Sequence, residues 1–458
     1  MKSFLAIAAL AFALTVFTSD SYAQVLNGSI PSGSVSPQPL QLSMSDALDR
    51  GLRYNLAILL GAEDQRAVSA QRLRALYELY PKVVADFSGI EQQINLAAFG
   101  FTGFPGVRPI IGPFGLIDAR ARFSQTVYDR KLIEDLREAS ENQKAVSFGN
   151  QNTRELVVVT IAYLYLQALA GDSRVTAVEA QVARAQKLLD RANDLKNSGL
   201  VPGIDVLRAQ VELQNQQQRL LALRNEFAQE KLNLARAIGI PLGQVVILTD
   251  RMPPETVPTT NLETALQAAQ DQRPDIKRAD ALVQAANHAV DSAHAKKLPV
   301  LDFAADYGTI GQSPAQNHGT FALIGRVRVP IFNIEHSVSD QQQAQARAEQ
   351  RRLEAADLKG RAELEVRAAY LDMQSSAEQV RVANSSLDLA QKQLDQAQDR
   401  FEAGVTGNLE VTQAQEAVAL SQENVISSLY TLNVAKARLA RAMGSAEQSI
   451  KTFLGGTK

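Results

Sequence analysis

The sequence predicts an α+β, mainly α chain that is internally duplicated, each repeat supplying two membrane-spanning strands and one long helical hairpin. Three observations carry this. Leu234–Gly239 (LARAIG) and Leu439–Gly444 (LARAMG) repeat almost letter for letter 205 residues apart. Four segments alternate apolar and polar residues with a period of two, and two long proline-free stretches step their apolar residues by three and four.

The repeat extends beyond those six letters. Gly199 to Val206 aligns with Gly404 to Val411 at the same offset, and upstream the offset becomes 218, placing Asp46-Ala47-Leu48 on Thr264-Ala265-Leu266 and Pro81 on Pro299. The first copy therefore carries a surplus of about 13 residues, which fits a longer Gly/Pro-rich loop at Ala97 to Pro113.

At the start of the chain, Lys2, an apolar run from Phe4 to Phe17 and the small residues Ser21 and Ala23 read as a signal peptide over 1–23 that is removed on export. No later segment approaches an apolar run of that length, so contact with a membrane is expected through strands rather than helices. The chain has no cysteine and a formal net charge of −2. The first excludes a disulfide framework and lipidation at an N-terminal Cys, and the second gives no field of one sign to recruit nucleic acid.

A polar linker, 24–44, precedes a first repeat over 45–240. A second linker, 241–261, leads to a second repeat over 262–446, and 447–458 form a tail. Each repeat opens with a helix, Ser45 to Tyr80 and Leu262 to Lys297, with Ser45 and Asn261 at the N-cap positions and Pro81 and Pro299 ending them. Strands are expected at about 82–95, 115–128, 299–311 and 319–332. Asp86, Asp118, Arg120, Arg122, Asp302, Asp306, Arg326 and Arg328 then share the face opposite Phe87, Phe123, Phe303 and Phe321. Such strands fit a half-buried soluble sheet or a membrane barrel. Arg/Asp pairs opposite an apolar face, together with the signal peptide, favour the barrel, with the eight charges in its lumen and the apolar face in outer-membrane lipid.

The long helices follow. Asp129 to Asn197 would span roughly 100 Å. Within it Val178, Val182, Ala185, Leu189 and Ala192 step by three and four, as do Ala383, Leu387, Ala390, Leu394 and Ala397 in the second repeat, a coiled-coil seam. Gly-containing breaks at 198–203 and 403–407 turn each helix into a hairpin. Four strands cannot close a barrel, and open edges in lipid leave backbone groups unpaired, so the strands demand an oligomer. Two chains would give eight strands and a filled lumen. Three would give twelve and an aqueous bore, which suits the charged inner face better.

These features together resemble the TolC family of outer-membrane efflux proteins, over nearly the whole mature chain. The specific matches are Asp46-Ala47-Leu48 followed by Asn55, the tips at Gly199-Leu200 and Gly404-Val405, and the LARAIG/LARAMG segment. Asn55 is followed by Leu56 where the family usually has proline, and the second repeat has Arg273-Pro274 in place of Asn-Pro. The resemblance implies a homotrimer whose twelve-stranded transmembrane β-barrel continues as a periplasmic α-helical coiled-coil tunnel. It implies the outer membrane of a Gram-negative bacterium, and a passive conduit for tripartite efflux or type I secretion. It also implies work with a periplasmic adaptor and an inner-membrane pump of RND, ABC or MFS type, and no catalysis. Substrate selection then falls mainly to the pump.

Carried over by position, the periplasmic entrance gate falls on Glu410, with Gln413 one turn on where the family has a second acid, and on Asp205 in the first hairpin. The adaptor-docking tips fall on Gly199, Leu200, Val201, Gly404, Val405 and Thr406. An acid in the first turn of a helix also favours the helix dipole, which accounts equally for Glu410 and better for Asp205. Glycine at the tips also simply terminates helices. No Gly-rich phosphate loop, G-x-S-x-G or H-E-x-x-H occurs, and four histidines without cysteine predict neither metal nor cofactor. The rival reading is a periplasmic coiled-coil adaptor or structural rod, which leaves the four duplicated strands unexplained.

Overall fold

The computed structural model describes residues 26–101, 106, 108–199, 201–255, 261–331, 334–403 and 405–453. The signal peptide, Leu200 and Gly404 lie outside the described residues. In chain order the elements are β1 (Leu40–Leu42), α1 (Met44–Tyr54), α2 (Leu56–Tyr77), β2 (Lys82–Asn95), β3 (Ile110–Tyr128), α3 (Arg130–Asn197), α4 (Gly203–Ile238) and β4 (Val246–Leu248). They continue with α5 (Leu262–Gln272), α6 (Pro274–Ala295), β5 (Val300–Gly311), β6 (His318–Arg328), α7 (Ile334–Glu402), α8 (Asn408–Ala442) and α9 (Ala446–Phe453). Two compact units result: one of residues up to Asp64, Ser147–Lys277 and from Ala356 on, the other of Gln65–Val146 and Arg278–Ala355.

The first unit is helical apart from β1, which pairs parallel with β4. Ser43, rather than Ser45, caps α1, in a reciprocal capping box with Asp46. Leu42, Met44 and Leu48 pack on Val157, Ile161, Tyr165 and Leu166 of α3 and on Leu234 and Ile238 of α4. Here one sequence expectation is corrected. α3 does contain an 18-residue stretch apolar enough to cross a membrane, but 61% of it is buried inside the chain, so its hydrophobicity is that of a core helix.

Where the sequence predicts one opening helix per repeat, each is broken in two. The break in the first repeat is Asn55, extended at ψ 135° and fully buried. Its side-chain amide donates to the carbonyls of Leu26 (2.7 Å) and Ala237 (3.3 Å), while its Oδ1 accepts from Ala57 N (2.9 Å). In the second repeat it is Arg273, held out of the α region by Pro274. The Arg273 Nη1 reaches the Ala442 carbonyl at 3.4 Å. Asn55 and Arg273 are 218 apart and Ala237 and Ala442 are 205 apart, the two repeat offsets. Different side chains therefore hold equivalent carbonyls at the ends of α4 and α8.

Those ends explain the LARAIG/LARAMG signature. Gly239 and Gly444 adopt φ +72° and +75°. A Cβ on Gly239 would lie 2.8 Å from Tyr54 Cβ, and one on Gly444 2.7 Å from Arg273 Cα. The left-handed backbone and the lack of space both select glycine. Further along, the hairpins bury Ala185, Leu188, Ala192 and Ala209 of the first repeat with Ala390, Leu394, Ala397, Phe401, Val411 and Ala414 of the second.

The second unit holds an antiparallel sheet of order β2-β3-β5-β6, so a strand of the first repeat pairs directly with one of the second. β3 starts at Ile110, within the stretch read as loop, because Ile110 and Ile111 pair with Asn95 and Ile94. The outer edges of β2 and β6 have no strand partner among the described residues.

Candidate channel-lining and docking residues

Register fixes which side chains share a face of the sheet, since directly opposed residues point the same way. Val83 opposes Phe123, which opposes Ala305, which opposes Leu323; Ala85, Ala121, Tyr307 and Phe321 form the next such row. Phe87, Tyr307 and Phe321 are 83%, 73% and 73% exposed, so this face is apolar and uncovered. On the other face lie Asp86, Asp118, Arg120, Arg122, Asp302, Asp306, Arg326 and Arg328, brought together from both repeats.

Seven of these eight charges are paired. Arg120 bridges Asp118 (2.8 Å) and Asp306 (3.0 Å), Arg122 meets Asp86 (2.9 Å), and Arg328 meets Asp302 (3.3 Å). Four acids and four arginines make the face neutral in sum. With its charges mixed in sign, this face is hydrophilic.

At the hairpin ends, Glu410 lies in the first turn of α8, its carboxylate 3.3 Å from Arg400. Gln413 is exposed. Asp205 is buried and meets Arg208 at 3.3 Å. Gly199 takes φ +73° and closes α3, its N–H donating to the Lys196 carbonyl at 2.9 Å. Val201 is half-buried, Val405 is 69% exposed, and the buried Thr406 hydroxyl has no hydrogen-bond partner among the described residues.

Two arrangements escaped the sequence reading. His288 stands 2.9 Å from the fully buried Glu134, with Asp291 close enough to complete a three-ligand cluster. Arg130 and Arg137 bind Glu134 Oε1 while His288 takes Oε2, so both oxygens serve an ion-pair network. The partners lie 154 residues apart, and nothing in local spacing links them. The other is a stripe of exposed residues on α7, Leu364, Leu371, Val382 and Leu389, at steps of 7, 11 and 7. At 3.6 residues per turn these fall on one line along the helix. α4 leaves Ile204, Leu207, Val211 and Leu221 exposed as well. Here the spacing is visible in the sequence, but only exposure separates these residues from the buried seam on the same helix.

With this geometry in hand, comparison with known proteins is direct. The family described as "Outer membrane efflux protein" matches residues 265–445, most of the second repeat. Protein CyaE of Bordetella pertussis is 27% identical over 421 residues, covering 88% of this chain and 84% of its own. Outer membrane protein TolC of Vibrio cholerae is 22% identical over 404 residues, covering 86% and 90%. Among solved structures, the open-state MtrE outer membrane channel of Neisseria gonorrhoeae superposes with a TM-score of 0.75 at 15% identity, covering 88% and 89% of the two chains. A duplicated, mainly helical chain, an amphipathic sheet shared by both repeats and these likenesses point the same way: the chain is similar to the TolC family of outer-membrane efflux proteins, whose members are channels and not enzymes.

Proposed function

We propose that this chain is the outer-membrane channel-tunnel of a tripartite efflux or type I secretion system. It would give passive passage from periplasm to exterior to substrates delivered by an inner-membrane pump of RND, ABC or MFS type and a periplasmic adaptor. The observation that carries this reading is the four-stranded sheet, with one face apolar and exposed, the other charged and largely ion-paired, and both outer edges without a strand partner among the described residues. Hydrocarbon tolerates such a sheet only if its edges are closed by further copies. Three copies give twelve strands and a water-filled bore.

The helices support the same assembly. The exposed stripes on α4 and α7 are different surfaces, so one copy's α4 against the next copy's α7 makes a head-to-tail contact, the kind that closes into a ring. The segments 198–203 and 403–407 would present six tips to the adaptor, with Gly199, Val201, Val405 and Thr406 of the described residues, and Leu200 and Gly404, at the contact. Glu410 would ring the periplasmic entrance, its field moderated by Arg400. Gln413 would add no second ring, and Asp205, tied to Arg208, serves its own helix end.

The test is fractionation with in vivo crosslinking of the tagged chain. Retention in the outer membrane, with a trimer band and a crosslinked adaptor at a cysteine in place of Val405, is expected. Release by osmotic shock as a monomer would overturn the reading in favour of a periplasmic rod. In planar bilayers Glu410→Ala should lower cation preference, and unchanged selectivity would remove Glu410 from the entrance.

A further inference from the structure

Glu230, on α4, is only 5% exposed; neither carboxylate oxygen has a well-aligned hydrogen-bond partner among the described residues, the Gln167 side chain of α3 being the polar group near enough to act on it. It fills the space that Gly171 of α3 leaves: a Cβ on Gly171 would lie 2.1 Å from Glu230 Oε2. At the repeat offset of 205 the matching pair is Ser376 and Ala435, so the second repeat carries no ionisable group there. The groups around Glu230 do not neutralise it. Arg174 of α3 is spent on Glu423 of α8 at 2.8 Å. Glu226 on α4 adds like charge, while Gln167 of α3 and Tyr430 of α8 are uncharged neighbours.

An ionised carboxylate buried without a neutralising charge costs several kcal/mol, and a group so placed keeps its proton instead. We propose that Glu230 is packed as a neutral carboxylic acid and that its ionisation loosens α4 from α3 at Gly171, making the first hairpin, and not the second, responsive to pH. Burial, chiefly, and the charge of Glu226 raise the Glu230 pKa, against the opposing pull of Gln167 and Arg174. The sign follows. An acid with a raised pKa in the packed state favours that state at low pH, and the advantage is lost as pH rises from the ordinary carboxylate range through the raised value.

Hydrogen exchange on the full chain in detergent tests this, with rates corrected for intrinsic pH dependence. Protection of residues 220–238 should fall about tenfold, relative to that of 425–442, as pH rises from about 5 to about 8. Glu230→Gln should abolish the fall. Glu230→Ala, which installs the side chain of the second repeat, gives the same readout if the glutamine variant folds poorly. An undiminished pH response in either variant, or an equal response of both hairpins in the unaltered protein, overturns the proposal.

Discussion

Arg273 concentrates several jobs in one side chain. It is 2% exposed, forks onto Asp275 (3.0 and 2.7 Å), reaches Glu365 (2.7 Å) and holds the Ala442 carbonyl. Burial works to raise the Asp275 pKa, but the guanidinium outweighs it and holds the carboxyl below its ordinary value. That stabilisation is present above the ordinary carboxylate range and is lost as pH falls through it. Arg273→Ala should therefore cost about 3–5 kcal/mol near neutral pH, because it strands a buried charge. Thermal melts should show the gap to the unaltered protein narrowing below about pH 4, and a gap independent of pH would mean that the pair is not what matters. Nothing near position 273 announces this in the sequence, where it reads as an Arg-Pro departure from a family motif. Asp275 is two residues on, but Glu365 and Ala442 lie 92 and 169 residues away. The eight charged sheet residues were legible, by contrast, because alternation is local and carries the face assignment with it.

At the scale of elements, the strands and long helices follow from period, and their ends from tertiary contacts. The Gly112-Pro113 pair argues for a loop, but β3 runs through it because Ile110 and Ile111 find partners on β2. Glycine shows the same division between local and tertiary control. Gly444 sits at positive φ against the Arg273 backbone, while Gly360 lies inside α7 with nothing within 4 Å of where a Cβ would stand. Gly444→Ala should cost about 1–3 kcal/mol through strain alone, before any clash. Gly360→Ala should gain about 1 kcal/mol from helix propensity. Chemical denaturation of the two variants side by side checks the sign of each. Equal effects would show that helix ends and interiors are under the same constraint.

The whole molecule is shaped by what one chain cannot cover. Its apolar sheet face, its strand edges and the stripe on α7 are all features that an isolated soluble protein avoids. If the stripe is the contact between copies, Leu371→Glu should lower the fraction of crosslinked trimer by about tenfold or more and leave the helical circular dichroism unchanged. A variant that assembles normally would assign the stripe to another partner. In the sequence, the expectation of an oligomer rests on the number of strands. The surfaces that mediate it emerge only when exposure is added to spacing.

The pairing of β3 with β5 has one more implication. It is a junction between repeats of the same kind that a ring needs between chains, but here both sides are covalently joined through 241–261. In the proposed trimer, gene fusion thus halves the number of molecules that must find one another, from six single-repeat copies to three. It also frees the two halves to diverge, so that one can keep a buried acid at Glu230 where the other has Ala435.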